Sequence, residues 1–519
     1  MEAQLVRSIG KGAQTLSPIG TNIASNLLAA IWIGALTLLI TPVQIKLLGI
    51  EAYGVIGLIA VFQVALSTLD MGLATAVMQA IAKARSANTP SICRLAASVG
   101  TFYWCASATV GLGIWLNADW IASAWLKAST LDPQLVAESI RLIAVFLALR
   151  WPAAFYGAVL SGLQKMAALN ALKAFAFSLR LGGAILVLLW HPSLDAMLNW
   201  FVLSAAVEVL IYAVVAHRMM PALPLHPVFD REAVGGVWHF SATMGLIGLL
   251  SLLLTQSDRI VISKLLDLQA LGYYALAYNV AVGGALLQSA INSAMLPAFA
   301  QASSEQQWAS ARYNKACELM AFALAPLCAL LIFFGHDLLR LWVGAESADG
   351  AWLPLAVLAT GFFLNALVSN AYTVAVGFGR PDIPFKVNLA AVMVFLPLLG
   401  VLTWNIGITG AAISWVILNL FYFFSLLPIV HRKLLGNKTW PWVRTTVLPF
   451  VVCALVAMGG GKVIMAALGP YWVFLCLPLA AAAYAVLAYW QLSIESRSAL
   501  RLLLNRRNAM ATTSSNGDI

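Results

Sequence analysis

The stretch KLLGIEAYG, Lys46 to Gly54, returns as KLLDLQALG, Lys264 to Gly272, 218 positions later and with five of nine residues identical. What lies around both copies decides the fold. Each phrase joins two long apolar runs in a chain that is 62% hydrophobic and only 10% charged, with mean hydropathy +0.89. A soluble chain carries roughly 25% charged residues. This one lacks the polar surface to cover itself in water and belongs in a bilayer. A membrane-crossing helix needs ~20 mostly apolar residues. Fourteen runs qualify, from 23–45 to 471–492, with Pro42, Pro152, Pro326, Pro397 and Pro478 inside them. The expected fold class is therefore an all-α polytopic membrane protein with about 14 transmembrane helices. The first apolar run is too long for a secretory h-region, so it is read as an uncleaved span.

The first phrase falls where span 1 turns into span 2, and the second where span 7 turns into span 8. Six spans separate them. An even number returns the chain to the same side, so the two copies belong to a parallel repeat, not an inverted one. Chance similarity in leucine-rich sequence is the competing explanation. The in-register match of Lys and Gly at topologically equivalent places argues against it. The expected organisation is an N-terminal six-helix lobe at 1–216, a cytoplasmic linker at 217–235, a second six-helix lobe at 236–436, and two extra helices with a cytoplasmic tail at 437–519.

Lys and Arg set the orientation. With the N-terminus inside, 21 of the 30 fall on inner segments, six on outer segments and three within spans. Both termini are then cytoplasmic, and the formal net charge of +10 needs no nucleic-acid partner. Trp115, Trp120, Trp125, Trp190, Trp342, Trp352, Trp440 and Trp442 fall near span ends, where interfacial anchoring suits them. The longest loops have about 18 residues, too few for a soluble catalytic domain. MGGGKV at 458–463 follows no strand and lacks the G-K-[ST] ending of a phosphate loop. The six cysteines form no C-x-x-C pair, which disfavours zinc or a disulfide framework. No enzyme and no cofactor are expected.

Two hairpin sequences carry a family resemblance. LGIEAYGVIGLIAVFQVALSTLDMGLATAVMQAIAK, Leu48 to Lys83, and QSDRIVISKLLDLQALGYYALAYNV, Gln256 to Val280, resemble the polysaccharide-exporter, or O-antigen flippase, branch of the multidrug/oligosaccharidyl-lipid/polysaccharide exporter superfamily. The second copy has a D-R pair, an apolar stretch, then L-G-Y-Y. The resemblance implies a bacterial inner-membrane flippase. Its cargo would be an undecaprenyl-pyrophosphate-linked oligosaccharide, carried from the cytoplasmic to the periplasmic leaflet by alternating access. The implied partners are that lipid-linked oligosaccharide, membrane lipids, and polysaccharide polymerase and chain-length components. The alternatives are an ion-coupled drug or metabolite antiporter of the same superfamily, or a membrane enzyme acting on lipid-linked sugars.

Ionisable residues at bilayer depth cost ~2.5–3.5 kcal/mol each on insertion scales, so each is a functional candidate. Four fall near mid-depth, all in the first half: Asp70, Arg150, Arg180 and Glu208. Gln288 occupies the place of Asp70 in the second half at the same 218 offset. Arg180 and Glu208 flank one hairpin at similar depth, which favours a structural pair. Arg150 precedes Trp151-Pro152, where a proline kinks the helix, and a guanidinium suits phosphate oxygens. Arg150 is thus expected either to contact the substrate or to pair with Asp70. Arg141 lies nine residues earlier, ~13.5 Å along and on the opposite face of an ideal helix, nearer the periplasmic mouth. The candidate substrate-binding set is Arg150, Arg180, Arg141, Gln288 and Asn292. Asp70 and Glu208 are candidates for ion coupling or internal pairing, because without an ATPase site energy must come from a gradient. Lys46, Asp258 and Arg259 are expected to form a periplasmic gate. Asn26, Gln44, Gln63, Asn279, Asn365 and Asn370 offer neutral groups to sugar hydroxyls or to neighbouring helices.

Overall fold

The computed structural model describes residues 18–494 and 496–497, apart from 71, 85–88, 225, 231–234, 236–237, 302–305 and 470–471. Every regular element among the described residues is helical. The apolar runs form α1 (Pro18–Leu48), α2 (Ile50–Leu69, continued by Leu73–Lys83), α3 (Pro90–Leu116), α4 (Pro133–Gly162), α5 (Met166–Trp190) and α6 (Leu194–Met219). Then follow α7 (Trp238–Thr255, continued by Ser257–Leu265), α8 (Leu268–Ala300), α9 (Gln306–Val343), α10 (Ala345–Gly377), α11 (Asp382–Ile406) and α12 (Ile408–Leu435). The last two are α13 (Thr439–Leu468) and α14 (Val473–Tyr489). Twelve of these have the length and apolarity to cross a membrane among the described residues. With α7 and the 17-residue α14 they account for the fourteen runs.

The two halves reuse one packing scheme. In the first, α3 packs on α4, α2 on α4, α4 on α6 and α5 on α6. Six helices on, α9 packs on α10, α8 on α10, α10 on α12 and α11 on α12. This is the parallel repeat in contact form. Beyond it, α13 packs on α9 and on α14. By packing density the chain divides into a unit of Met1–Gly272 and a unit of Tyr273–Ile519.

The repeated phrase forms the corner of the first unit. Gly49 stands between α1 and α2 as a one-residue link with φ +84°, a conformation that costs glycine little. The echo has Asp267 there instead, and its carboxylate caps α8 by accepting the Ala270 N–H at 2.7 Å. The two phrases also touch. A Cβ on Gly54 would collide with the Leu268 carbonyl, and a Cβ on Gly272 with the Ile50 carbonyl. Leu268 and Ile50 are themselves equivalent at the 218 offset, so the contact is reciprocal.

The segment between α3 and α4 is fastened to this corner from both phrases. Buried Glu51 accepts the N–H groups of Ser129 at 2.5 Å, Thr130 at 2.8 Å and Leu131 at 3.2 Å, together with the Thr130 hydroxyl. From the other phrase, Lys264 Nζ donates to the Ala124 carbonyl at 2.8 Å, and Leu268 N–H donates to the Lys127 carbonyl at 3.0 Å. Trp125 Nε1 donates to Ser263 Oγ at 3.1 Å, and Lys127 Nζ to the Leu265 carbonyl at 3.0 Å.

Candidate functional site

Three spans of the first unit lose regular helical bonding around one cavity. In α4, Pro152 has no N–H to give, and the helix is interrupted at Trp151, directly after Arg150. In α5, residues Ser178–Gly182 form a π-turn that contains Arg180; such turns recur at functional sites. Its freed carbonyls are satisfied from α6, where Trp200 Nε1 donates to Leu179 O at 3.0 Å and Arg180 O at 3.2 Å. The indole comes this close because Gly183 presents no Cβ to its ring. In α2 the chain breaks between Leu69 and Leu73, with Gly72 at φ +72°.

The cavity measures about 420 Å³, and its polar lining includes Gln63, Asp70, Arg150, Lys173, Glu208 and Tyr212. On its wall one Glu208 oxygen, Oε2, meets Arg150 Nε at 3.4 Å and Arg180 Nη1 at 3.3 Å. Arg180 is sealed in, its side chain 6% exposed and its guanidinium over the rings of Phe177 at 4.5 Å and Phe146 at 5.7 Å. Arg150 is open to the cavity at 24% exposure, and its Nε makes no hydrogen bond. With Lys173 the lining holds two cations, Arg150 and Lys173, against the two carboxylates Asp70 and Glu208, and Arg180 stands behind it as a third cation on Glu208. A concavity that presents a guanidinium and an ammonium on its wall suits an anion with several oxygens.

Asp70 is engaged elsewhere. It accepts the Tyr103 hydroxyl and the Ala74 N–H, the latter at 3.1 Å. It thereby caps the second piece of α2, where a broken helix exposes N–H groups inside the membrane. The partner of Arg150 is Glu208, not the Asp70 that sequence depth put forward. Lys173, near the start of α5, counts among the inner-segment cations in sequence and is therefore no mid-depth candidate there. The signal was present: seven residues before Arg180 is two turns of one face, ~10.5 Å along the axis. Tyr103 left no such signal, since its role depends on α3 lying against the α2 break.

The remaining sequence candidates are not part of this cavity's lining. Arg141 pairs with Asp119 at 2.6 Å and lies 5.8 Å from the Trp115 ring, an exposed pair just past the C-terminal end of α3. In the second unit, Gln288 Nε2 donates to Asn365 Oδ1 at 3.1 Å, and Asn365 Nδ2 to Asn419 Oδ1 at 2.9 Å. Asn292 Nδ2 donates to Ser369 Oγ at 3.0 Å. These are neutral interhelical bonds between α8, α10 and α12, the alternative role such residues had in sequence. Lys46 is exposed at the end of α1. Asp258 and Arg259 are buried in the first turn after the α7 break, where Arg259 Nη1 donates to Gln256 Oε1 at 3.3 Å. The side chain of Asn26 lies outside the described residues.

Comparison with known proteins places this geometry among relatives. Residues 45–351 match the model of a family described as polysaccharide biosynthesis protein. A candidate O-antigen transporter of Shigella flexneri is 22% identical over 370 residues, spanning 71% of this chain and 87% of that one. The lipopolysaccharide biosynthesis protein WzxC of Escherichia coli (strain K12) is 24% identical over 267 residues, 50% of this chain and 52% of the relative. Among solved structures, the lipid II flippase MurJ in an inward closed conformation superposes with TM-score 0.72 at 11% identity, over 89% of this chain and 97% of that one. An inward-facing multidrug resistance MATE transporter of the MOP superfamily gives 0.65 at 14% identity, over 80% and 96%. At these identities the structural likeness establishes the fold alone.

Proposed function

Since the chain belongs to the polysaccharide biosynthesis protein family, we propose that it is a flippase for an undecaprenyl-pyrophosphate-linked oligosaccharide in surface polysaccharide biosynthesis. The names of two curated relatives, a candidate O-antigen transporter and a lipopolysaccharide biosynthesis protein, support this substrate class. The observation that carries it is the cavity of the first unit, where Lys173 and half-buried Arg150 line the wall and Arg150 shares the Glu208 carboxylate with Arg180. A pyrophosphate carries several anionic oxygens and gains charge-assisted bonds from a guanidinium. In this reading it competes with Glu208 for Arg150, while Arg180 keeps the carboxylate from being left unpaired. Lys173 contacts the pyrophosphate on the cytoplasmic side of Arg150. Transport is by alternating access, with the lobes at 1–216 and 236–436 rocking about the link at 217–235. The head group crosses inside, and the lipid tail stays in the bilayer. The protein resides in the bacterial inner membrane with both termini cytoplasmic, acts as a transporter and not an enzyme, and delivers its cargo to polymerase and chain-length components.

Arg150→Ala tests the reading. It should abolish surface polysaccharide while protein abundance stays near wild type, because it leaves the Arg180–Glu208 pair intact. Normal polysaccharide export by a well-expressed Arg150→Ala protein would refute the assignment.

A further inference from the structure

A second concavity of the first unit, about 500 Å³, opens between α3, α4, α6 and the chain that follows α6. Its walls are apolar and face the surface of the fold: Leu210 is 63% exposed, Val214 42% and Trp104 41%. On membrane-spanning helices such a surface meets acyl chains, not water. Its floor is fixed, with Trp104 Nε1 donating to the Tyr156 hydroxyl at 3.3 Å and the Tyr156 ring 6.0 Å from that of His217. One end is basic. Among the described residues the titratable lining there comprises His217, Arg218 and His226, with no carboxylate. His217 Nδ1 is bonded to the Ala213 carbonyl at 2.8 Å, while its Nε2 has no partner.

The mouth is preformed. Val228 N–H donates to Thr101 Oγ1 at 3.0 Å and Asp230 N–H to Ser98 Oγ at 2.8 Å, which straps the segment bearing His226 onto α3. The Asp230 carboxylate faces Arg94 at 3.8 Å. Leu210 lies eight residues before Arg218, ~12 Å along the axis. The basic end and the apolar slot are therefore spaced as a phosphate head and the first stretch of an acyl chain. The distribution of Lys and Arg assigns this end of α6 to the cytoplasm, the side where anionic lipids attract basic residues.

We propose that this groove is a resident site for an anionic phospholipid of the inner leaflet. One acyl chain lies along Leu210, Val214 and Trp104, and the phosphate sits between Arg218 and His226. The site is separate from the Arg150 cavity and does not depend on what that cavity carries.

The test uses the purified full-length protein in neutral detergent, titrated with phosphatidylglycerol or with phosphatidylcholine of the same chains. Bound lipid is counted by native mass spectrometry and the thermal midpoint is followed. Phosphatidylglycerol should bind more tightly and raise the midpoint more. R218Q/H226Q, which removes the Arg218 charge and the His226 ring, should weaken phosphatidylglycerol at least roughly fivefold and erase its advantage. V214W, at an exposed wall position, should lose retained lipid of both kinds, and carries the test alone if the charge variant does not accumulate. Equal binding of the two lipids by the wild type overturns the proposal, as does retention of lipid by V214W. Displacement of phosphatidylglycerol by polyprenyl diphosphate would assign the groove to the carrier lipid and overturn it too.

Discussion

At Glu208 one oxygen serves Arg150 at 3.4 Å and Arg180 at 3.3 Å, and this sharing changes what substitutions there do. Breaking a buried pair by removing one partner costs roughly 3–5 kcal/mol, because the other charge stays buried without compensation. Glu208→Gln leaves two guanidiniums without a counter-charge and should lower stability by about that amount, read as thermal unfolding in detergent. A simple pair would tolerate exchange of its charges. Here R180E/E208R puts an arginine at position 208 against Arg150, so the exchange should fail unless Arg150→Ala is added. An exchange as stable as wild type in the presence of Arg150 would show that the carboxylate is not shared. The Arg180–Glu208 half of this arrangement was legible from depth counting, since both residues flank one hairpin. That Arg150 joins them was not. It follows from how α4 bends at Pro152 and packs on α6, which is a tertiary matter.

Among elements, the corner made by the start of α2 and the first turn of α8 rests on two missing side chains. Gly54 and Gly272 each lie against a carbonyl of the opposite phrase. An added methyl meets backbone there and cannot be absorbed by a rotamer change. G54A and G272A should each cost about 1–3 kcal/mol. Because the contact is reciprocal, the first substitution opens the gap that the second needs. The double variant should then cost less than the sum of the two, as contacting sites do. A double-mutant cycle on thermal unfolding measures this, and strict additivity would mean that the two glycines do not share one contact. The same corner shows one helix start reached in two ways. Gly49 adopts a positive φ where Asp267 supplies a capping carboxylate, so the least similar position of the repeated phrase performs one task.

For the whole molecule, charge asymmetry across the spans predicts topology. A fluorescent protein fused to the C-terminus should fold and fluoresce in the cytoplasm. A phosphatase active only in the periplasm, fused after Ala128 between α3 and α4, should be active. The reverse pattern would invert the orientation and remove the cytoplasmic placement of the basic groove. Hydropathy and an even spacing of the repeated phrase were enough to give the spans and their parallel repeat, because burying apolar runs in lipid depends on composition and length. Depth along the chain was also legible, and it singled out Asp70, Arg150, Arg180 and Glu208. Which side chains meet was not, because partners at one depth are chosen by helix rotation and by breaks at Pro152, Gly72 and the Ser178–Gly182 turn. Those angles are set by packing across the fold. That is why Asp70 turned out to cap a broken helix, Lys173 entered the cavity, and Arg150 came to share a carboxylate with Arg180.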